Sequence, residues 1–386
     1  EFRRVLFRSG ALKQILLWNK STSAKIPVCI GCDVGGSGIR VRISSFIDNK
    51  KTIDLPHAKA KSTSDLLGIL NKIKKATDKT PIEFKGASMA IAGPIQKDRV
   101  ILTNWPGPIS QRTLKISDLP KEVFPVGKCA LLNDLEAGAY GIVAAKEMKI
   151  LDGYFEQMWT HRAPKGPIVS DTRTAVLALG SGLGVGLIVN SPMIDRPLVL
   201  PTELGHLQIP IVGKKHQNYK YEKKLFNYIS DHYYKGMDTL EYEDIASGRG
   251  LALSYQYIYH KNTGKMLPLE TLEGGEIAAA AKGGDKNARE AMILNIKILL
   301  RASKAVATSL SCNSVILALD NQVKNNYIMH ENSKELEDEF YQFIRPDWMN
   351  GIRVYTQTKV LNFNLLGTDY MAHRFARSEE RRVGKE

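Results

Sequence analysis

The chain has 386 residues, a formal net charge of +14 and 43% hydrophobic residues, which is typical of a globular protein with more than one hydrophobic core. No apolar run approaches the roughly 18–20 residues that span a membrane, so we expect no membrane partner. The basic residues are scattered and no nucleic-acid recognition motif accompanies them. We therefore expect no nucleic-acid partner, and a basic surface that attracts anionic substrates.

The two ends of the chain, residues 1–9 and 377–386, resemble translated sequencing-adapter DNA, and we exclude them from reasoning about the fold. We expect the natural termini to be missing from this sequence. The four cysteines form neither a disulfide framework nor the ligand spacing of a zinc site. We expect them to be small core residues of a protein in a reducing compartment.

The first pair of elements is a hairpin with a glycine-rich tip. The apolar run over residues 26–32 predicts a β-strand, and the stretch DVGGSG separates it from a second strand, IRVRISSF. The glycines therefore join two strands instead of leading into a helix. The backbone N–H groups of Gly35, Gly36 and Ser37 can still form a concave cradle for an anion. Taken alone, the preceding Asp33 reads as a turn-capping residue.

The next elements alternate between helix and strand. The stretch SDLLGILNKIKKA predicts an amphipathic helix with Ser64 as its N-cap, and ASMAIAGPI predicts a buried strand. In CALLNDLEAGAYGI, a strand over residues 129–132 turns into a helix at Asn133 and Asp134. Both residue types are preferred helix caps, but a carboxylate at the end of a strand can also accept a proton from a substrate hydroxyl.

A second glycine hairpin follows much later in the chain. Residues 174–179 predict a strand, residues 180–184 a glycine–hydroxyl turn, and the residues after them another strand. Two ordinary glycine hairpins would explain the pattern equally well if each stood alone. The repeat of the design favours a duplicated domain in which the two turns hold a nucleotide phosphate chain from both sides.

Candidate sugar-binding residues lie after the second hairpin. Glu203 and His206 in PTELGHL can hydrogen-bond neighbouring sugar hydroxyls, or they are an ordinary loop carboxylate and a histidine with a structural partner. Glu243 begins a predicted helix, where an acidic residue also suits the helix dipole. We expect loops over residues 193–224. A long helix over residues 287–310 and the strand SVILAL complete a layered α/β fold.

Eight motifs occur in an order that resembles the glucokinase family of bacteria and some protists: DVGGSGIR, AIAGPI, TNWP, LLNDLEAGAYGI, GSGLGVGLIV, ELGH, EDIASGRGL and FNLLGTDYMAH. That family belongs to the superfamily of hexokinases, actin and Hsp70. The resemblance covers nearly all of residues 27–373. It implies two RNase H-like (actin-like ATPase) domains flanking a central cleft. The small α/β domain would comprise residues 10–145 plus 358–376, and the large one residues 146–357.

The resemblance implies a glucokinase that transfers the γ-phosphoryl group of ATP to the 6-hydroxyl of D-glucose, in the cytoplasm or, in a kinetoplastid, in the glycosome. Asp134 would be the general base, and Mg²⁺ would be held through water near Asp33, without a direct protein ligand. The implied sugar-binding residues are Asn104, Asn133, Asp134, Glu203, His206 and Glu243. The implied nucleotide-binding residues are Asp33, Gly35, Gly36, Ser37, Gly180, Ser181 and Gly182.

The sequence departs from the family pattern at two places, and three alternatives to the glucokinase function stay open. Where the family has a strand followed by Gly-Gly, this chain has Leu319, Asp320 and Asn321, so the phosphoryl donor is open. Asp320 either meets the ribose hydroxyls or lies in a loop turn. No cysteine cluster follows the Gly-His pair, so we expect no structural zinc. The alternatives are a kinase of another hexose or of an amino sugar, and a catalytically inactive sugar-sensing homologue. The resemblance also leaves a homodimer open.

Overall fold

The computed structural model describes residues 10–18, 25–103 and 105–377. The chain forms two compact units: the first consists of the chain up to Lys149 and from Asn362 onward, and the second of Ile150–Leu361. The adapter-like residues 1–9 and 378–386 lie outside the described residues, as does Asn104, whereas Arg377 is the last residue of a helix. No helix within the described ranges has the length and apolar character needed to cross a membrane.

The first unit is built on a five-stranded sheet in the order β3-β2-β1-β4-β8. The central strand β1 pairs antiparallel with β2 and parallel with β4, which in turn is parallel to β8. The strands are β1 (Ile26–Gly35), β2 (Gly38–Ser45), β3 (Thr52–Ala58), β4 (Ile82–Ile91), β5 (Ile95–Gln96), β6 (Arg99–Ile101), β7 (Thr113–Lys115) and β8 (Cys129–Asn133); β5, β6 and β7 form a separate small sheet. The helices are α1 (Ala11–Leu16), α2 (Thr63–Thr77), α3 (Ile109–Arg112), α4 (Asp134–Glu147) and α12 (Phe363–Arg377).

The second unit is built on a six-stranded sheet in the order β12-β11-β10-β13-β14-β9. Its strands are β9 (Phe155–Met158), β10 (Arg173–Leu179), β11 (Leu183–Val189), β12 (Leu198–Thr202), β13 (Ser314–Ala318) and β14 (Arg353–Gln357). Its helices are α5 (Tyr219–Tyr234), α6 (Gly248–Thr263), α7 (Gly274–Lys282), α8 (Lys286–Ser309), α9 (Asp320–Glu331), α10 (Ser333–Tyr341) and α11 (Pro346–Met349). Short 3₁₀ turns cover Leu204–His206 and Tyr242–Asp244.

The two sheets share one topology. In each of them an antiparallel run of three strands, β1-β2-β3 or β10-β11-β12, is continued by parallel strands on the other side of the first strand. The β1–β2 and β10–β11 hairpins therefore occupy equivalent positions. The predicted α/β fold and both predicted glycine hairpins are confirmed.

Three local predictions were wrong. The N-cap of α2 is Ser62, whose Oγ accepts a hydrogen bond from the Asp65 N–H, so the helix begins before Ser64. The second turn is shorter than expected, because Gly184 already belongs to β11. The expected loops over residues 193–224 contain β12 and the start of α5. The strand pattern of β12 is weak because Pro201 interrupts it, and proline is tolerated only because β12 is an edge strand.

Asp320 begins α9, so the structure excludes the loop turn, one of the two alternatives left open for this residue. The sequence DNQVKNN has no apolar periodicity that would predict a helix. The side chain that α9 buries in its first turn is polar: Gln322 is 6% exposed and donates a hydrogen bond to Thr356 Oγ1 on β14. The first turn of α9 is therefore fixed by a buried amide hydrogen bond that hydrophobic patterning does not detect, and Ile328 and Met329 are buried further along the helix.

Helices α4 and α12 approach each other so closely that glycine is required at the crossing. A Cβ on Gly367 in α12 would lie 1.8 Å from the carbonyl oxygen of Ala137 in α4. A Cβ on Gly141 in α4 would lie 2.0 Å from the carbonyl oxygen of Phe363 in α12. In each case the obstacle is backbone, which cannot rotate away as a side chain can. The packing of α12 against α4 therefore depends on these two glycines.

Gly367→Ala is expected to destabilise the protein by about 3 kcal/mol, the upper part of the usual cost of overpacking. Gly68→Ala is the matched control, because Gly68 lies on the exposed face of α2, where a Cβ would meet nothing within 4 Å. Since alanine is the better helix former, the control is expected to stabilise by about 0.5–1 kcal/mol. Urea unfolding measures both; equal effects of the two substitutions would contradict the close-packing account.

A buried polar cluster also joins α12 to β2. Ser44 Oγ donates a hydrogen bond to Asp369 Oδ1 at 2.5 Å and lies 2.8 Å from His373 Nε2. Burial raises the pKa of Asp369 to about 6, against the lowering effects of the Ser44 hydrogen bond and the Arg42 charge. Burial, with the nearby Arg377 charge, lowers the pKa of His373 to about 4. Between these two pKa values, the folded protein carries a proton on Asp369 and none on His373. The unfolded chain instead carries a proton on His373 and none on Asp369.

The two shifts act on stability in opposite directions. As pH falls from 6.5 to 4, proton uptake by Asp369 favours the folded state, and proton uptake by His373 favours the unfolded state. In Asp369→Asn only the histidine effect remains, so the free energy of unfolding should fall relative to the wild type over this range, on the order of 2 kcal/mol. Urea titrations at pH 6.5 and 4.5 measure it. A variant whose difference from the wild type does not change with pH would contradict the assignment.

Candidate active site

The first glycine turn closes the β1–β2 hairpin. Gly35 pairs with Gly38, so Gly36 and Ser37 form a two-residue turn that is exposed to solvent. Gly38 has a φ of +145°, and a Cβ on it would lie 2.0 Å from the carbonyl oxygen of Ala58. Glycine is therefore required where β3 passes the turn. The turn presents backbone, not large side chains, to an incoming group.

Asp33 lies next to this turn on β1 and is nearly buried. Its carboxylate accepts a hydrogen bond from Arg40 Nη1 at 3.2 Å, across the strand pair, and one from Asn362 Nδ2 at 3.0 Å. Asn364 Nδ2 lies 3.5 Å from the other carboxylate oxygen. Asp33, which the resemblance implies holds Mg²⁺ through water, is thus bound by one cation and two amides. It is the carboxylate that the β1–β2 hairpin contributes.

Two residues that the sequence reasoning did not single out also contact the first turn. The indole Nε1 of Trp105 donates a hydrogen bond to the Gly35 carbonyl at 3.1 Å. His57 Nε2 on β3 lies 3.4 Å from Ser37 Oγ. Trp105 belongs to the TNWP motif, which was the sequence signal for its role. No motif in the sequence marks His57. Neighbouring Asn104, predicted as a sugar-binding residue, lies outside the described residues.

Asn133 and Asp134 stand where β8 ends and α4 begins, as predicted. Asn133 Oδ1 accepts the Leu135 N–H at 2.9 Å, and the Asn133 N–H donates to Glu136 Oε2 at 3.3 Å, which forms a capping box. Asp134 Oδ1 also accepts the Leu135 N–H, at 2.9 Å. Asp134 is half-buried, and its carboxylate lies at the N-terminus of α4, where the helix dipole favours negative charge.

The second glycine turn closes the β10–β11 hairpin. Leu179 pairs with Leu183, and the turn consists of Gly180, Ser181 and Gly182. The Gly180 N–H donates to the Gly182 carbonyl at 2.8 Å. Like the first turn, this one is short and glycine-rich, but it has three residues instead of two.

Glu243 lies directly against the second turn. Its Oε2 accepts the Leu183 N–H at 2.9 Å, and its Oε1 accepts a hydrogen bond from Arg249 Nη2 at 2.7 Å. A Cβ on Gly182 would lie 2.5 Å from Oε2, so only glycine leaves room for this carboxylate. A residue predicted to hold sugar hydroxyls therefore also holds the turn, and Arg249 is a neighbour that the sequence reasoning missed.

A cavity of about 390 Å³ lies beside the second turn, between the end of α5 and the starts of α6 and α7. Gly248, which belongs to its lining, donates its N–H to the Gly180 carbonyl at 2.9 Å. The Arg249 guanidinium lies over the Tyr233 ring, 5.5 Å from its centroid. The second turn therefore lies next to a cavity that is lined partly by apolar side chains and partly by the guanidinium group of Arg249.

Glu203 directly precedes the 3₁₀ turn that follows β12, and His206 is the last residue of that turn. His206 Nδ1 lies 2.6 Å from Glu241 Oε2, and its Nε2 lies 3.9 Å from Glu203 Oε2. The hydrogen bond with Glu241 raises the pKa of His206, with smaller contributions from the charges of Glu243 and Glu203. The Glu203 side chain is 74% exposed. Glu241 is therefore the partner that orients the imidazole, and the acidic run EYED was its sequence signal.

Glu241→Gln is expected to lower the pKa of His206 toward its usual value, because the main cause of the upward shift is lost. Histidine ring resonances followed by NMR between pH 5 and 9 measure it. Glu203→Gln is the matched control, since that carboxylate is more distant and more exposed, and it should lower the pKa less. A larger effect of Glu203→Gln would contradict the orienting role of Glu241.

Comparisons with known proteins show which family this chain resembles. The model of the glucokinase family matches residues 30–318. Two relatives from Trichomonas vaginalis, named "Probable glucokinase 2" and "Glucokinase 1", are 54% and 52% identical to this chain. The matches cover 97% and 96% of this chain and 100% and 99% of the relatives. A crystal structure of glucokinase from Balamuthia mandrillaris in complex with glucose has a TM-score of 0.84 and 32% identity, covering 95% of this chain and 98% of that one.

The repeated sheet topology with a glycine turn in each unit, together with the likeness to solved sugar-kinase structures, places the chain in the class of proteins with the actin-like ATPase fold, as the resemblance implied. Within that class, the chain belongs to the glucokinase family. It is therefore an ATP-dependent hexose kinase.

Proposed function

We propose that this protein transfers the γ-phosphoryl group of ATP to the 6-hydroxyl of D-glucose, giving glucose 6-phosphate and ADP. The observation that carries the proposal is the Asn133–Asp134 pair: a half-buried carboxylate at the end of a parallel strand, beside an amide in a capping box. Membership of the glucokinase family and the glucose bound to the Balamuthia relative support glucose as the acceptor.

Asp134 would act as the general base. As the sugar oxygen forms its bond to the γ-phosphorus, the Asp134 carboxylate takes the hydroxyl proton and the bond to the leaving ADP oxygen breaks. The N-terminus of α4 favours negative charge at this position. A base of this kind contributes about 10²–10⁴ in rate, and most of the remaining acceleration comes from alignment and charge neutralisation.

The other polar residues would hold the sugar. Asn133, Glu203, His206 and Glu243 offer amide, carboxylate and imidazole groups that pair with hydroxyls, and Asn104 is a further candidate outside the described residues. A protonated His206 donates, while the carboxylates accept. Such a site rejects sugars that lack a hydroxyl, because a buried polar group is then left unpaired.

The two glycine turns would bind the nucleotide phosphates through backbone N–H groups, with Gly35, Gly36 and Ser37 in the first unit and Gly180, Ser181 and Gly182 in the second. Asp33 is a single carboxylate held by Arg40 and Asn362. Among the described residues, no group of three or more metal-ligating side chains is present. This donor set fits Mg²⁺, which typically binds phosphates and water with one or two carboxylates. When bound, Mg²⁺ neutralises phosphate charge during transfer.

Mg²⁺-dependent ADP release from ATP tests the proposed acceptor. Glucose, mannose, fructose, glucosamine and a reaction without sugar are compared at equal concentration. Glucose is expected to give the highest kcat/KM. A higher kcat/KM with another sugar would make that sugar the substrate instead of glucose. ADP release that depends on no sugar at all would reject the kinase assignment.

Asp134→Asn is expected to reduce kcat by about 10²–10⁴ while the fold and glucose binding are retained, because the amide cannot take the proton. Asp285→Asn is the matched control: it makes the same change at the N-cap of α8, where Asp285 accepts the Ala288 N–H. The control should keep its kcat. Unchanged kcat in Asp134→Asn, with glucose binding followed by calorimetry, would refute the role of Asp134 as the base.

A further inference from the structure

The backbone at the end of β13 has an unusual conformation. Leu319 has φ +88° and ψ 164°, a region that glycine occupies readily and leucine avoids. Leu319, Asp320 and Asn321 stand where the family has a strand followed by Gly-Gly. Leu319 is thus a non-glycine residue held in a glycine conformation, directly before α9. Backbone strain of this kind persists only where the surroundings fix it.

Buried amide side chains hold this segment in place. The Leu319 N–H donates to Gln357 Oε1 at 2.8 Å, and Gln357 Nε2 donates to the Lys359 carbonyl at 2.8 Å. Gln357 is 0% exposed. Gln322, three residues beyond Leu319, donates to Thr356 Oγ1 at 2.8 Å. The start of α9 is therefore fixed to β14 by a hydrogen bond on each side of Asp320 and Asn321.

Fixing the start of α9 directs Asn321 at the second glycine turn. Asn321 Nδ2 donates to the carbonyl oxygen of Leu179 at 3.2 Å. Leu179 is the last residue of β10 and precedes Gly180 directly. Elsewhere the turn is held by Glu243 at the Leu183 N–H and by Gly248 at the Gly180 carbonyl. Asn321 therefore supplies a restraint at the point where the chain enters the turn.

We propose that Asn321 is a positioning residue for the phosphoryl donor: by holding the Leu179 carbonyl, it orients the Gly180–Gly182 turn that receives the nucleotide phosphates. This inference rests on the proposed phosphate-binding role of that turn. The strained Leu319 peptide and its Gln357 anchor determine where Asn321 points. The Leu319–Asn321 segment thus supports donor binding through the turn.

Asn321→Asp and Asn321→Ala test the inference. Aspartate keeps the size of asparagine but cannot donate to a carbonyl, and it adds negative charge near the phosphates. We expect both variants to raise the KM for ATP and the Kd of Mg²⁺–ATP about tenfold, aspartate at least as much as alanine. The KM for glucose and the thermal midpoint should stay unchanged. Asn325→Ala, which removes the same amide one turn further along α9, should leave all four values unchanged.

Two results would overturn the inference. The first is a Kd for Mg²⁺–ATP in Asn321→Asp equal to that of the wild type. The second is a rise in the KM for glucose equal to that for ATP, together with a lower thermal midpoint, which would make Asn321 a residue of general stability. Calorimetric titration with Mg²⁺–ATP does not need turnover, so it tests the inference separately from the proposed sugar. A wild type that binds no Mg²⁺–ATP would instead reject the proposed nucleotide role of the turn.

Discussion

A short glycine turn closes the β1–β2 hairpin of the first unit and the β10–β11 hairpin of the second, and each turn constrains the elements around it. Antiparallel strands joined by two or three residues bring other backbone or carboxylate groups too close for a side chain. At Gly38 a Cβ would meet the Ala58 carbonyl, and at Gly182 it would meet the Glu243 carboxylate. The surrounding elements hold these turns: Trp105 and β3 in the first unit, Glu243 and Gly248 in the second.

The acidic residues around the turns are neutralised by partners within the same unit. Asp33 is paired with Arg40, and Glu243 with Arg249. A carboxylate left unpaired beside a phosphate site would repel the anionic donor, whereas a paired one can accept backbone N–H groups and keep the turn rigid. Asp134 lies at a helix N-terminus, where its carboxylate accepts the Leu135 N–H.

Sequence reasoning was reliable where a residue type has one local physical role. The two glycine hairpins and the Asn133–Asp134 cap follow from short patterns, and the order of the motifs identified the family. It missed features whose cause lies far away in the chain. Trp105 contacts Gly35, and Gln357 anchors Leu319, through hydrogen bonds that no local periodicity encodes. Strand β12 and helix α9 were missed because Pro201 and a polar first turn hide their patterns.

The central claim is that this hexose kinase phosphorylates the 6-hydroxyl of glucose. The most direct measurement is NMR of the product formed from uniformly ¹³C-labelled glucose, ATP and Mg²⁺. The account predicts that carbon 6 alone gains coupling to phosphorus as ATP is converted to ADP. Coupling at another carbon, or ADP formation without a phosphorylated sugar, would contradict it.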